Sequence, residues 1–333
     1  MEKFEAPIQE SLLQELIELW DTIPELPINE EWRRELLGLE PSFNRILIYI
    51  VREGGRIVAM CQFYISRRMP ILSEFSYPGT RPDCRGRGIA TELWGAAIDD
   101  MKAMGVEAIF LGTFDRIAFR LYRRLGFSKL PASLTFVQAL NGLSAEEFLA
   151  DWFRDAGPAT LSSGNPGDQL PSYPLIVSQH DWQVLDANAG LMSTRYSLHR
   201  TFRGLYLKCA NVGDDENGAR FSATTSDGKV VGMSTARLED DGTCAVDGFV
   251  HHRYPDSWDD LILAGIGFGG SRGVSAVHAR VSREDIEKCQ RFAALGFRES
   301  GSAPDFVLDC LQLNRQKEIE PISVPAVRME LKM

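Results

Sequence analysis

The sequence predicts an α/β chain made of two tandem copies of one unit, and three observations predict it. "NRILIYIVREGGRIVAMCQFYISR" (44–67) reads as two alternating strands around Glu-Gly-Gly, a hairpin signal, with helical periodicity further on. "GVEAIF…LYRRLGF", beginning at Gly105, returns as "GVSAVH…QRFAALGF" from Gly273; Gly105 to Gly126 is 21 residues and Gly273 to Gly296 is 23. Between the copies lies "GPATLSSGNPGDQLPSYP" (157–174), dense in Gly, Ser and Pro, which reads as the linker. At 333 residues the chain can bury two ordinary cores.

The elements follow in order. "SLLQELIELW" predicts a first helix and "EEWRRELLG" a second. After the hairpin, "ILSEFSYPGT" (71–80) is a further strand broken near Pro78. "TELWGAAIDDMKAMG" puts Leu93, Trp94, Ala97, Ile98 and Met101 on one helical face and stops at Gly105, a C-cap residue type. "VEAIFLGT" is a buried strand, "RIAFRLYRRLG" a short helix and "LTFVQALN" a closing strand. "SAEEFLADWFRDA" opens with a capping box, Ser144 and Glu147, and predicts a connecting helix. In the second half "SATTSDGKVVGMSTARL" is another hairpin, around Asp-Gly.

Composition narrows the function. A hydrophobic share of 44% with 25% charged residues is that of a globular protein. The net charge of −10 argues against a nucleic-acid partner and favours a cationic one. The N-terminus lacks a signal-peptide pattern and no apolar run approaches a membrane span, so no membrane partner is expected. Six scattered cysteines without C-x-x-C give no metal site and suit a reducing, cytoplasmic setting.

The chemistry concentrates in "CRGRGIATELW" (84–94), a glycine-rich turn between a strand and a helix. The first N–H groups of a helix lack internal partners, and its dipole favours anions there. Glycines clear side chains from the approach and arginines add charge-assisted contacts, which together make a pyrophosphate cradle. A bare Gly-x-Gly is also just a tight turn. The context of R-x-x-G-x-A (Arg85, Gly88, Ala90) followed by "AFRLYRRLGF" resembles the GNAT acetyltransferase superfamily over most of residues 45–140.

That resemblance implies α/β (α+β) domains, each with a mixed, mostly antiparallel central sheet flanked by helices. It divides the chain into a GNAT domain at 1–141, a connecting helix and linker at 142–172, and a degenerate GNAT-like domain at 173–333. It implies acetyl-CoA as co-substrate, with the pyrophosphate on the backbone of Arg85, Gly86, Arg87, Gly88, Ile89, Ala90 and Thr91. The pantetheine arm would follow the strand ending at Gly79 and Thr80, with Asp115 and Ala118 beside it. Asp115 departs from the family's usual Asn. Tyr122 of "LYRRLGF" takes the role of general acid to the leaving thiolate; a packed aromatic is the other reading. Glu74, eleven residues before Arg85, stands where histone-acetylating relatives carry a base. It could instead be a strand residue facing solvent or pairing with Arg67 or Arg68. Pro78 has no N–H to hold the thioester oxygen, which leaves Tyr77 or Gly79 as donors.

The second half carries decoys. "GIGFGG" matches G-x-G-x-x-G and "GGSRG" matches G-x-S-x-G around Ser271, yet both need a strand before the turn and a helix after, and here the order is reversed. Where the first copy has its cradle the second has "HHRYPDSW", and Phe292 stands in the place of Tyr122. His251 and His252 are candidates for an acceptor pocket or for core, and Trp182 and Trp258 for core or interface. The function expected is acetyl transfer to a primary amine of a small molecule or peptide. The alternatives are acyl-CoA sensing without turnover, and another acyl-CoA reaction such as longer-chain transfer or decarboxylation.

Overall fold

The chain begins with a short edge strand that its acidic, amphipathic sequence does not announce. β1 (Glu2–Glu5) pairs antiparallel with β2 (Asn44–Glu53), and α1 (Glu10–Trp20) and α2 (Glu30–Leu36) lie between them in the sequence. β2 turns at Gly54 and Gly55 into β3 (Arg56–Ser66), the hairpin read from Glu-Gly-Gly, and β3 pairs antiparallel with β4 (Leu72–Thr80). Then come α3 (Ile89–Ala103), β5 (Ala108–Gly112), α4 (Arg116–Arg124), β6 (Ser128–Lys129), β7 (Thr135–Ala139) and α5 (Ala145–Trp152). This computed structural model describes residues 1–23, 30–39, 41–113, 116–131, 134–155, 157–197, 203–313 and 319–333.

Strand alternation sorts the first sheet into two faces. Cys61, Phe63 and Ile65 of β3 and Phe75 of β4 join Leu93, Trp94, Ala97, Ile98 and Met101 of α3 in one buried core. Met60, Gln62 and Tyr64 point the other way and receive hydrogen bonds from, or donate to, Trp20, Trp32 and Glu35 of α1 and α2. The helical face predicted for α3 is the buried one.

The second unit contains β8 (Ala159–Ser163), α6 (Gln169–Val177), β9 (Val184–Asp186), β10 (Leu191–Met192), α7 (Arg203–Gly213), β11 (Gly218–Thr225), β12 (Val230–Leu238) and β13 (Cys244–Val250). It continues with α8 (Asp256–Ser271), β14 (Ala276–Ser282), α9 (Ile286–Ala294), β15 (Arg298–Leu313) and β16 (Ile319–Lys332). The stretch read as a linker is mostly ordered structure: β8 is a sheet strand and every residue of α6 is buried, Pro171 and Pro174 included. Pro166 and Gly167 lie in the 3-10 turn that leads into α6 and Pro174 lies inside that helix, so their presence does not mark a free connection. The chain separates instead into residues 1–128 with 136–148, and residues 129–135 with 149–333.

Both units carry a seven-stranded, mostly antiparallel sheet. The first runs β1-β2-β3-β4-β5-β7-β6 and the second β8-β11-β12-β13-β14-β16-β15, one strand order written twice. Each sheet has a parallel join in its middle, β4 with β5 and β13 with β14. Among the described residues no helix is long and apolar enough to cross a membrane. The decoy "GIGFGG" lies inside α8 with β14 after it, as the reversed order requires.

Candidate functional site

The parallel join of β4 to β5 covers only three rungs, Leu72 with Ala108, Ser73 with Ile109 and Glu74 with Phe110. Beyond Glu74 the two strands part, so residues 75–80 run without β5 as a neighbour. On its other edge β4 carries a bulge. Ser76 faces Gln62 and Gly79 faces Met60, which leaves Tyr77 and Pro78 together opposite Cys61. Tyr77 has φ +49, the left-handed region that a bulky residue rarely enters. The bulge is what admits Pro78 to an inner strand, because its missing N–H falls where the ladder is already interrupted.

Tyr77 is held in that conformation by its surroundings. Its ring meets Trp20 edge-on at 6.0 Å and Trp32 at 5.5 Å. Burial, then the charges of Glu74 and Glu31, push its phenol well above the ordinary range, so it stays neutral. Gly79 is buried under α1, where an added Cβ would come within 3.0 Å of Ile23 Cδ1.

After Thr80 the chain makes one 3-10 turn and reaches the cradle. Gly86 (φ +77) and Gly88 (φ +84) both use the left-handed region, and Gly88 is the N-cap of α3 without a side-chain cap. The first α3 bond is from Glu92 N to Gly88 O, so the amides of Ile89, Ala90 and Thr91 have no partner inside the helix. A Cβ on Gly86 would meet nothing within 4 Å, and one on Gly88 only Glu92 Oε1 at 3.9 Å. The turn is clamped from behind: Arg81 Nε donates to Ile57 O, Arg56 pairs with Asp83 at 2.7 Å, and Arg85 Nε donates to Thr80 O. Arg87 forks onto both oxygens of Glu53 at 2.8 Å. Its charge is thus shared with a carboxylate, and Arg85 is the more available of the two flanking cations.

Tyr122 is 4% exposed on α4. Its ring stacks on Trp94 at 5.9 Å and meets Phe75, Phe127 and Phe136 edge-on or tilted. Ala118, one turn earlier, is half-buried against the same core. Asp115 lies outside the described residues. Arg120 and Arg124 are exposed.

Glu74 is 3% exposed, which removes the solvent-facing reading. Its carboxylate accepts from Ser76 Oγ at 2.7 Å. Ser73 and Phe75 on either side of it face α3, so Glu74 faces α1 and α2, with Tyr64 opposite it in register. The structure therefore sets Glu74 and Tyr122 on opposite faces of β4, at the rung where β4 and β5 separate.

Sequence reading missed the company that Glu74 keeps. Tyr64 donates to Glu35 Oε2 at 2.7 Å, and Trp32 Nε1 donates to Gln62 Oε1 at 2.9 Å, all of them buried. The face is lined by carboxylates and aromatic rings, chemistry suited to a cation. Period-2 alternation from Glu74 across to Tyr64 and Gln62 was the available signal; the partners on α2 required the tertiary fold.

In the second unit His251 lies in the core reading, not in a pocket. It is buried, stacked on Phe153 at 3.8 Å, and burial pulls its pKa down to about 3. His252 is exposed. Trp258 is fully buried and bonds through Nε1 to Gly248 O.

A strand that leaves its parallel neighbour, a bare glycine turn and an uncapped helix start thus follow one another in the first unit. Residues 12–127 match the Acetyltransferase (GNAT) family, and the first unit carries a GNAT acetyltransferase domain. No curated protein matches the chain. Similar solved structures include spermidine N-acetyltransferase from Vibrio cholerae in complex with CoA and spermine, at 12% identity and TM-score 0.37, covering 53% of this chain and 95% of that one. The ribosomal-protein-S18-alanine N-acetyltransferase of Escherichia coli is 16% identical with TM-score 0.36, covering 52% and 93%. A GNAT-family acetyltransferase from Streptococcus pneumoniae is 14% identical with TM-score 0.38, covering 53% and 99%.

Proposed function

We propose that the first unit transfers an acetyl group from acetyl-CoA to a primary amine of a small molecule or peptide, by direct attack in a ternary complex. One observation carries this reading: an open glycine cradle follows directly on a strand edge that has lost its parallel neighbour. Acetyl-CoA would supply the acetyl group as an activated thioester. The amides of Ile89, Ala90 and Thr91 are aimed as donors for the pyrophosphate, and the helix dipole and Arg85 favour its charge. The free edge of β4 at 75–80 offers main-chain groups to the pantetheine amides.

Glu74 accepts the ammonium proton, directly or through a water, and the amine then attacks. The new bond is nitrogen to carbonyl carbon, the broken bond carbon to sulfur. Tyr122 gives its proton to the departing thiolate, and the second proton, shed by the nitrogen as the amide forms, returns through solvent to the phenolate. Opposite faces suit these roles, because the amine arrives among the carboxylates under α1 and α2 while the sulfur departs toward α4. The bulge at Tyr77 and Pro78 leaves the N–H of Tyr77 or Gly79 for the thioester oxygen.

The second unit is read as a diverged copy of the same fold without turnover: Pro255 precedes α8, "HHRYPDSW" has no glycine, and Phe292 replaces Tyr122. Calorimetry with acetyl-CoA and a thiol-release screen over an amine panel test the proposal together. Binding and amine-dependent thiol release are expected; absence of acetyl-CoA binding by the intact chain would sink it.

A further inference from the structure

The second unit has the same parted middle strands as the first. β13 and β14 pair in parallel at only two rungs, Cys244 with Val277 and Ala245 with His278, and then separate. In the first unit that opening is where the acyl carrier is proposed to run. In the second it contains protein.

The segment 182–188 passes through the opening from one face of the sheet to the other. On the α8 and α9 face, the Trp182 ring meets Trp258 at 6.0 Å and its Nε1 donates to Glu287 Oε2 at 3.3 Å. The amides of Gln183 and Val184 donate to the two oxygens of Asp285, just before α9. Beyond that point the chain lies on the opposite face. Asp186 accepts from Thr235 Oγ1 at 2.8 Å, the Ala187 amide donates to Asp247 Oδ2 at 2.8 Å, and Asn188 Nδ2 reaches Thr235 O and Ala245 O. Thr235 and Asp247 face away from α8, since Ala236 and Val246 between them pack on Gly265 of that helix.

Lys288 ties the two faces together. Its ammonium, from α9, meets Asp247 Oδ1 at 2.6 Å and donates to Val184 O and Leu185 O at 2.9 and 3.0 Å, with no exposure on either partner. The positions used are the ones the first copy keeps small. Counted back from the Gly-Phe pair, Lys288 stands where the first unit has Ala118; counted back from Gly273 and Gly105, Trp258 stands where it has Ala90. A methyl beside the helix start has become an indole, and a methyl beside the carrier path has become a buried cation. Removing one partner of such a pair leaves an uncompensated charge, which makes the arrangement a fixed part of the core rather than a movable lid.

We propose that segment 182–188 is the permanent occupant of the second unit's acyl-CoA opening, latched by Lys288 and Asp247, so that the chain holds one acyl-CoA site, not two. The number of sites rests on the reading of the first unit; the occupancy of the second does not. Two measurements on the full chain decide it. Native mass spectrometry with acetyl-CoA should show at most one molecule bound, and none in the first-unit variant Gly88→Glu. Hydrogen exchange should show the amides of 183, 184 and 187 protected like those of β13, and equally so with and without acetyl-CoA. A second bound molecule, binding that survives Gly88→Glu, or fast exchange at these amides would overturn the proposal. If the wild type binds nothing, the function proposed for the first unit falls, and the exchange result still decides the occupancy.

Discussion

Tyr122 and Trp94 lie ring on ring, with centroids 5.9 Å apart and planes 26° from parallel. Phe75 stands edge-on to both. Packing of this kind fixes the ring through its faces, so a phenylalanine fits the same place. Tyr122→Phe should therefore keep the fold and remove only the proton donor. We expect kcat to fall by about 10²-fold or more, with the melting temperature and the KM for acetyl-CoA near wild-type values. Tyr122→Ala would instead cost ~3–5 kcal/mol of stability, the usual range for emptying an aromatic site. Full activity of the phenylalanine variant at neutral pH would remove the acid assignment.

Glu74 should act through its charge. Glu74→Gln preserves size and the bond from Ser76, yet cannot accept a proton. The expected loss is on the order of 10²-fold in kcat at neutral pH. It should shrink as pH rises toward the pKa of the amine, because the acceptor then arrives already deprotonated. A pH–rate comparison of the two enzymes with one amine measures this, and parallel profiles would contradict a base at Glu74.

Much of this arrangement is visible in the residues alone. The hairpin at 44–67, the buried face of α3 and the bare glycine turn before α3 follow from local chemistry: alternation, helical period and glycine between arginines. The repeated strand order was foreshadowed by the echo from Gly105 to Gly273. Non-local features stayed hidden. Nothing near Tyr77 announces a left-handed bulge, because Trp20, Trp32 and the register with Met60 and Gln62 impose it. The Pro-rich stretch 157–174 carries a linker's composition, but tertiary burial of α6 overrides it. Nothing in the sequence around Lys288 marks it, because only the meeting of α9 with β13 makes it a buried ion.

The cradle should fail through its approach rather than through its fold. Gly86 and Gly88 have open space where a Cβ would point, so no side chain is struck. Their positive φ still makes alanine costly by about 1–2 kcal/mol each. The larger effect falls on the ligand, whose phosphates need that space. Gly86→Ala and Gly88→Ala should raise the Kd for acetyl-CoA at least tenfold by calorimetry, with a modest fall in melting temperature. An unchanged Kd in both variants would place the pyrophosphate elsewhere.

Acid should weaken the second unit through its buried histidines. Burial pulls the pKa of His180 down to about 4 and of His251 to about 3, with neighbouring charges of His252, Lys288 and Arg253 adding to the effect. In the unfolded chain both take up a proton below about 6.5. Their neutral forms therefore favour folding above that pH, and the advantage is lost as pH falls toward the folded values. Asp186 works in the opposite sense: burial and the nearby Asp247 raise it to about 7, so the folded state keeps a proton that the unfolded state releases, and stability falls as pH rises through the same window. The two contributions separate by substitution. Relative to wild type, His251→Asn should lose about 1–2 kcal/mol less between pH 7.5 and pH 5, although lost stacking on Phe153 lowers its stability at both. Asp186→Asn should shift the profile the other way, relieving the loss toward pH 7.5. Denaturant titrations at the two pH values give the difference directly, and equal pH responses of wild type and His251→Asn would show that the imidazole takes up its proton as readily in the fold as in the unfolded chain.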